Sequence, residues 1–131
     1  MSPDPQTELP DIILSRADFE ALHRLVGDLP GRGATALLQQ ELDRAEVRET
    51  RDVPPKVVGL NRWLRYTDGR GEEARRVRLV LPPDADIDQG QVSILSWVGA
   101  GLLGLAEGVS VDWPDASGEL RRLTPVLVEA D

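Results

Sequence analysis

The 131-residue chain carries a net charge of −8 and contains no cysteine, which together exclude several classes of function. Without cysteine there is no disulfide, no thiolate metal ligand and no cysteine nucleophile, which is typical of a protein of the reducing cytoplasm. Because an acidic chain is repelled by phosphates, strong direct nucleic-acid binding is not expected, and no apolar run approaches the length of a membrane span.

The first part of the chain predicts a leader followed by a helical hairpin. Residues 1–10 place prolines among polar residues and favour a disordered leader. Ser15 stands at the N-cap position of a first helix, with Asp18 as a short capping-box partner. A second helix is predicted over 34–48. The Gly-Pro loop between the helices predicts an antiparallel hairpin, a short coiled coil, over 11–50.

A polar linker closed by Pro54-Pro55 separates the hairpin from a segment of alternating hydrophobicity. Strands are predicted at 63–67, 74–81, 91–96, 109–113 and 120–128, and a short helix at 100–107. The sequence therefore predicts an α+β fold, in which the hairpin precedes an antiparallel sheet domain at 57–131.

Three glycines at the corner into the predicted helix, Gly99, Gly101 and Gly104, match the G-x-G-x-x-G fingerprint of dinucleotide-binding proteins. That function needs a parallel β–α–β unit with a full crossover helix and an acidic residue about 20 positions on. Here only about two helical turns fit before Gly108. We therefore interpret the glycines as a strand–helix corner that needs small residues for close packing.

Few side chains are arranged for catalysis or for metal binding. His23 has no second imidazole or thiolate, so we interpret it as a solvated surface residue and expect neither metal nor cofactor. Arg76 and Arg78 alternate with apolar residues on a predicted strand. This pattern favours a solvated sheet face over a ligand-binding arginine pair.

In the second half, an acidic turn from Asp84 precedes Gly90 and an Ile/Val-Ser strand, and the loop 96–99 follows. These ordered motifs resemble the C-terminal domain of the GreA/GreB transcript-cleavage factors, in which the loop is Ser-Pro-hydrophobic-Gly. Upstream, the segments 40–45 and 57–62 resemble Rnk, the short-hairpin branch named for regulation of nucleoside diphosphate kinase. The resemblance extends in order over about residues 11 to 129.

The resemblance implies an FKBP-like sheet domain that docks on RNA polymerase, at the β′ coiled coil on the rim of the secondary channel. It assigns the polymerase contacts to the loop Ser96, Trp97, Val98 and Gly99. Trp97 replaces the family's proline, and Leu95 and Val109 stand where acids are common, so contacts differ in detail. Trp97 is either an exposed interface anchor or a core residue.

In the family, transcript cleavage depends on acidic residues at the tip of a long coiled coil. The predicted tip of this chain, 27–33, carries Asp28 as its sole carboxylate, and Arg32 is close enough to offset that charge. A first helix of about 11 residues spans only about 17 Å. The chain is therefore predicted to be non-catalytic, as the Rnk-like branch implies.

Taken together, these features predict a cytoplasmic, monomeric RNA-polymerase-binding factor that competes with cleavage factors at the secondary channel. It would modulate transcription, and indirectly nucleoside diphosphate kinase levels. One alternative is an FKBP-like peptidyl-prolyl isomerase, although an aromatic content of 4% offers little lining for such a pocket. The other is direct binding to nucleoside diphosphate kinase.

Overall fold

The computed structural model describes residues 9–29, 31–69 and 73–129. The helices are α1 (Arg16–Gly27), α2 (Ala34–Arg44) and α3 (Trp97–Leu102). The strands are β1 (Ile13–Ser15), β2 (Glu46–Arg48), β3 (Trp63–Thr67), β4 (Arg75–Val80), β5 (Gln91–Ser93), β6 (Val111–Pro114) and β7 (Leu120–Val128). All but the last two residues of the predicted disordered leader, and Pro30 of the predicted tip, lie outside the described residues.

A five-stranded sheet with the order β5-β4-β3-β7-β6 forms the larger part of the fold. Its β3–β4, β3–β7 and β6–β7 pairs are antiparallel, whereas β4 and β5 run parallel. The prediction of a wholly antiparallel sheet is therefore wrong at this edge. The reason is the connection over 81–90, which is too long for a tight hairpin and turns the chain so that β5 runs alongside β4 in the same direction.

A second, two-stranded sheet joins β1 to β2 in parallel, with Ile13 opposite Glu46. The second helix was predicted to reach residue 48, and this prediction is wrong. The helix ends at Arg44 because Ala45 adopts an extended conformation, with φ −69° and ψ 142°. The Glu46 amide then donates to the Ile12 carbonyl over 3.0 Å. Pairing with a distant strand thus overrides the local helix propensity.

The first helix begins where the sequence predicts, because the Ser15 hydroxyl accepts a hydrogen bond from the Asp18 amide at 3.1 Å. The Asp18 side chain was predicted as a short capping-box partner, and its carboxylate does hydrogen-bond the capping residue Ser15. It also accepts a hydrogen bond from the Leu60 amide at 3.1 Å, which the sequence did not predict. Asp18 therefore links α1 to the loop before β3.

The third helix was predicted at 100–107 but occupies Trp97–Leu102. It starts early because the Ser96 hydroxyl caps it, accepting from the Gly99 amide at 3.0 Å. It ends early because the chain turns at Gly104, whose φ of +77° is incompatible with a right-handed helix. The strands β3 and β7 have the predicted bounds.

One hydrophobic core joins the two parts of the chain. Its members include Ile12 and Leu22 from the helical part and Leu64 and Leu102 from the sheet part. At the junction the Ile13 amide donates to the Gly104 carbonyl at 3.1 Å. Among the described residues, no helix is both long and apolar enough to cross a membrane.

The division of the chain into a hairpin at 11–50 and a separate domain at 57–131 stays a prediction. If it holds, a fragment of residues 57–131 should fold alone and give the dispersed amide NMR spectrum of a β-sheet protein. The full-length chain is the reference. A collapsed spectrum from the fragment would show that the sheet needs the contacts of β1 and the helices.

Candidate functional site

The loop assigned to partner binding forms the corner between β5 and α3. The Ser96 hydroxyl accepts from the Gly99 amide at 3.0 Å and donates to the Ser93 carbonyl at 2.7 Å, which fixes the corner. Val98 and Gly99 are buried, whereas Ser96 and Trp97 are partly exposed. A partner approaching this loop therefore meets the side chains of Ser96 and Trp97 first.

The glycines of α3 are required by packing, as the sequence analysis inferred. A Cβ atom on Gly99 would lie 2.5 Å from the Ser93 carbonyl oxygen, and one on Gly101 would lie 2.6 Å from Leu123 Cδ1. The strands that flank the helix, β5 and β6, lie at opposite edges of the sheet. The motif therefore lacks the adjacent parallel strands of a dinucleotide site.

Trp97 stands at the first position of α3, half-buried against the core. The guanidinium carbon of Arg121 lies 5.6 Å from the centroid of its ring, within the range of a cation–π contact. The side chain is therefore neither fully in the core nor fully exposed. One part of the indole packs inward, and the remainder is exposed to solvent.

Arg121 joins the loop 96–98 to the loops that hold Asp68 and Asp115. Its side chain is 12% exposed, and its guanidinium pairs with Asp68 at 2.8 Å and with Asp115 at 3.4 Å. Sequence reasoning missed this residue. A signal was present, because Arg121 shares the strand parity of the buried Leu123 and so points to the covered face of β7.

The carboxylate of Asp115 is held in its charged form. The Ser117 hydroxyl donates to it at 2.6 Å, and the amides of Ser117 and Glu119 donate at 2.8 and 3.1 Å. These bonds, the hydroxyl first, hold the pKa of Asp115 below its usual range. The pairing with Arg121 is therefore maintained at neutral pH.

A groove opens beside Ser96 with a volume of about 360 Å³. Apolar side chains, including Val77, Val92 and Val98, line it together with Tyr66. Ile87 stands at its edge and is 87% exposed, the most exposed large apolar side chain among the described residues. Apolar surface therefore extends from the loop 96–98 toward the 3₁₀ turn that carries Ile87.

Arg75 and Arg76 of β4 also line this groove. Arg76 and Arg78 alternate with the buried Val77, so their side chains belong to the outer face of the sheet. Arg76 donates to both carboxylate oxygens of Glu129, at 2.6 and 2.9 Å, and its guanidinium carbon lies 4.1 Å from the ring centroid of Trp63. Arg78 lies 5.3 Å from the same ring. Arg76 is thus exposed but engaged within the chain, as expected for a solvated sheet face.

Asp28 and Arg32 of the predicted tip are both exposed, in the loop between α1 and α2. Asp28 forms the C-cap of α1, which has 12 residues. His23 is exposed and stacks on Phe19, with ring centroids 5.8 Å apart. Within the described ranges, no group of His, Cys, Asp and Glu side chains is placed to hold a metal ion.

Comparison with known proteins assigns the class. The model of the GreA/GreB transcription elongation factor C-terminal region matches residues 53–125, and the model of the Rnk N-terminus matches residues 10–47. The chain therefore belongs to the GreA/GreB family of transcription elongation factors. It is 30% identical to the regulator of nucleoside diphosphate kinase from Escherichia coli K12 over 122 residues, which cover 92% of this chain and 90% of that protein.

Two further relatives agree with this assignment. The transcription elongation factor GreA of Thermodesulfovibrio yellowstonii is 35% identical over 74 residues, or 56% of this chain and 47% of that protein. The solved GreA/GreB elongation factor from Nitrosomonas europaea superposes with a TM-score of 0.71 at 38% identity, covering 92% of this chain and 98% of that one. The resemblance found in the sequence is confirmed.

Proposed function

We propose that this protein is a non-catalytic RNA-polymerase-binding factor that docks at the secondary channel through the loop 96–98. There it competes with cleavage factors, modulates transcription and indirectly alters nucleoside diphosphate kinase levels. The observation that carries the proposal is Trp97, a half-buried aromatic side chain at the head of α3 in the segment that matches the elongation-factor family. It acts as a cytoplasmic monomer, and its contact on the polymerase is the β′ coiled coil.

The charge and the shape of the site suit a basic protein partner. A chain of net charge −8 is attracted to a basic surface, and this attraction speeds the encounter. An apolar anchor then sets how long the complex lasts. Trp97 is such an anchor, and Arg121 with its two aspartates holds the ring in place before binding. As part of the same proposal, the domain that carries this loop has an FKBP-like sheet.

Replacing Trp97 by alanine should weaken binding to purified core RNA polymerase by about 1–3 kcal/mol, the usual range for a truncated interface anchor. Biolayer interferometry with immobilised polymerase measures the change, which should lie mostly in the dissociation rate. Trp63→Ala is the matched control, because Trp63 is also half-buried but lies on the other face of the sheet.

Circular dichroism must first show that both variants are folded. We expect Trp63→Ala to bind like the parent. If folded Trp97→Ala binds polymerase as tightly as the parent, the anchor lies elsewhere and the assignment of the loop is wrong.

The protein should not stimulate transcript cleavage by RNA polymerase. The helix α1 has 12 residues. Its length of about 18 Å is too short for deep insertion into a channel. The tip offers Asp28 alone, whereas two-metal phosphoryl chemistry needs several converging oxygens. Stalled elongation complexes in magnesium should keep their 3′ ends intact when the protein is added, while a GreA protein shortens them. Shortening above the polymerase-only background would contradict this prediction.

A second candidate function is direct binding to nucleoside diphosphate kinase. It is supported by the name of the Escherichia coli relative, a regulator of that enzyme. A pull-down with purified kinase and, separately, with purified core polymerase distinguishes the two. Retention of the kinase alone would favour this second function over the first.

A further inference from the structure

A second cavity lies at the junction of the helical and sheet parts, away from the loop 96–98. This seam cavity, which is partly open to solvent and has a volume of about 450 Å³, is lined by β1, the start of α1, the linker and the loop before β3. Its apolar walls are Ile13, Leu14, Val53, Pro55, Val57, Val58 and Leu60. It shares no lining residue with the groove beside Ser96.

One carboxylate, that of Asp18, faces this apolar space. Burial raises the pKa of Asp18, while hydrogen bonds from the Leu60 amide and the Ser15 hydroxyl and the attraction of Arg62 oppose the rise. A carboxylate can accept about four hydrogen bonds. The donors that the described residues supply to Asp18 therefore leave part of its acceptor capacity unused.

The cationic residue of the cavity, Arg62, is held in the wall. Its guanidinium donates to the carbonyls of Val57 and Glu129, each at 3.1 Å, and to the carbonyl of Pro55. These bonds fix the side chain against two backbone segments, residues 55–57 and Glu129. Asp18 is therefore the anionic acceptor of the cavity, and the hydroxyls of Ser15 and Thr50 are its neutral polar lining groups.

We propose that the seam cavity binds a small, largely apolar molecule whose single ammonium group faces the Asp18 carboxylate. The volume lies in the range of small-molecule sites, which is about 300–1,000 Å³. The apolar walls favour a hydrocarbon body, and a charge-assisted hydrogen bond is the strongest that a partly dehydrated carboxylate can make. An anion is repelled by the Asp18 carboxylate, and although Arg62 also lines the cavity, its guanidinium is bonded to three backbone carbonyls of the wall.

Binding at this position has a structural consequence. The lining comes from the helical part at Ser15 and Asp18, from the linker at Val53 and from the sheet part at Val57 and Leu60. A bound molecule would contact all three and bind the assembled protein in preference to the unfolded chain. It would therefore resist separation of the helices from the sheet, as an effector of their relative position.

Three probes of similar size test the proposal in amide NMR titrations at neutral pH: benzylamine, benzyl alcohol and benzoate. We expect benzylamine to shift the amide signals of Val53 and Leu60 and to bind about tenfold more tightly than benzyl alcohol, with benzoate weaker still. Equal affinities of the three probes, or shifts that map away from the lining residues, would overturn the proposal.

Two variants and a control complete the test. Asp18→Asn keeps an acceptor for the Leu60 amide but presents an amide donor to the cavity, so the affinity for benzylamine should fall about tenfold and that for benzyl alcohol by less than about twofold. Glu20→Gln removes an exposed carboxylate of α1 that does not line the cavity, and should change neither affinity.

Val53→Phe fills the cavity while Asp18 stays intact, so it tests the site even if Asp18→Asn does not fold. It should abolish the binding of all three probes. Retained binding in Val53→Phe, or equal losses in Asp18→Asn and Glu20→Gln, would show that the probes bind elsewhere.

Discussion

Replacing Gly104 by alanine should lower the free energy of unfolding by about 2–5 kcal/mol, the sum of backbone strain and overpacking. Gly104 has a φ of +77°, and a Cβ atom there would lie 2.7 Å from the Cβ of Ile12 and 3.2 Å from the Ile13 carbonyl oxygen. Because a Cβ atom is attached directly to the backbone, no change of rotamer can relieve this contact. Urea denaturation measures the loss.

Gly108 provides a matched control for this substitution. Its φ is +86°, but a Cβ atom there would meet nothing within 4 Å. Gly108→Ala should therefore cost only the strain of a left-handed residue, about 1–2 kcal/mol. The difference between the variants measures how tightly β1 packs on the turn after α3. Equal losses would show that this contact is loose and that the two parts of the chain share less of their core than the structure indicates.

Replacing Glu41 by alanine should lower the free energy of unfolding by about 2–4 kcal/mol, because it leaves a partly buried arginine without its partner. Glu41 on α2 is 1% exposed, and Arg44 donates to its two carboxylate oxygens at 3.2 and 2.7 Å. Arg44 also donates to the carbonyl of Pro10. The pair therefore joins α2 to the chain that precedes β1.

The exposed pair of Glu46 and Arg48 is the control for this prediction, with side chains 57% and 37% exposed. Glu46→Ala should change the free energy of unfolding by less than about 1 kcal/mol, as is usual for exposed ion pairs. If both substitutions have similar small effects, the buried pair contributes no more to stability than a surface pair does. The link from α2 to Pro10 through Arg44 would then not stabilise the fold.

The contribution of Glu41 to the pH dependence of the free energy of unfolding has a defined sign. Burial raises the pKa of Glu41 above 4.5, with Arg44 opposing the rise. Between the unfolded and the folded pKa, the folded state binds the proton more often, so the free energy of unfolding falls as the pH rises through this window. In Glu41→Ala, the free energy of unfolding plotted against pH should lose this downward contribution to its slope from about pH 4.5 upward. An unchanged slope would show that other groups carry it.

The sequence by itself determined the parts of this fold whose cause is local. Alternating hydrophobicity predicts β3 and β7 with their observed bounds, and the capping Ser15 predicts the start of α1 at the next residue. The family motifs, which are also local patterns, lead to the GreA/GreB class that the comparisons confirm. The small residues of α3 identify a close-packed corner, because only glycine leaves room for a neighbouring backbone.

Only the tertiary structure decided the features whose partners are far apart in the chain. Residues 46–48 read locally as helix but form β2, because β1 offers them a parallel edge. Asp18 reads as a capping residue but also bonds to the distant Leu60, and Arg121 reads as a surface residue but joins Trp97 to Asp115 and to the distant Asp68. The spacing of apolar residues predicts which face of a helix or strand is buried. It does not predict which distant residue packs against that face, because such contacts leave no pattern in a single sequence.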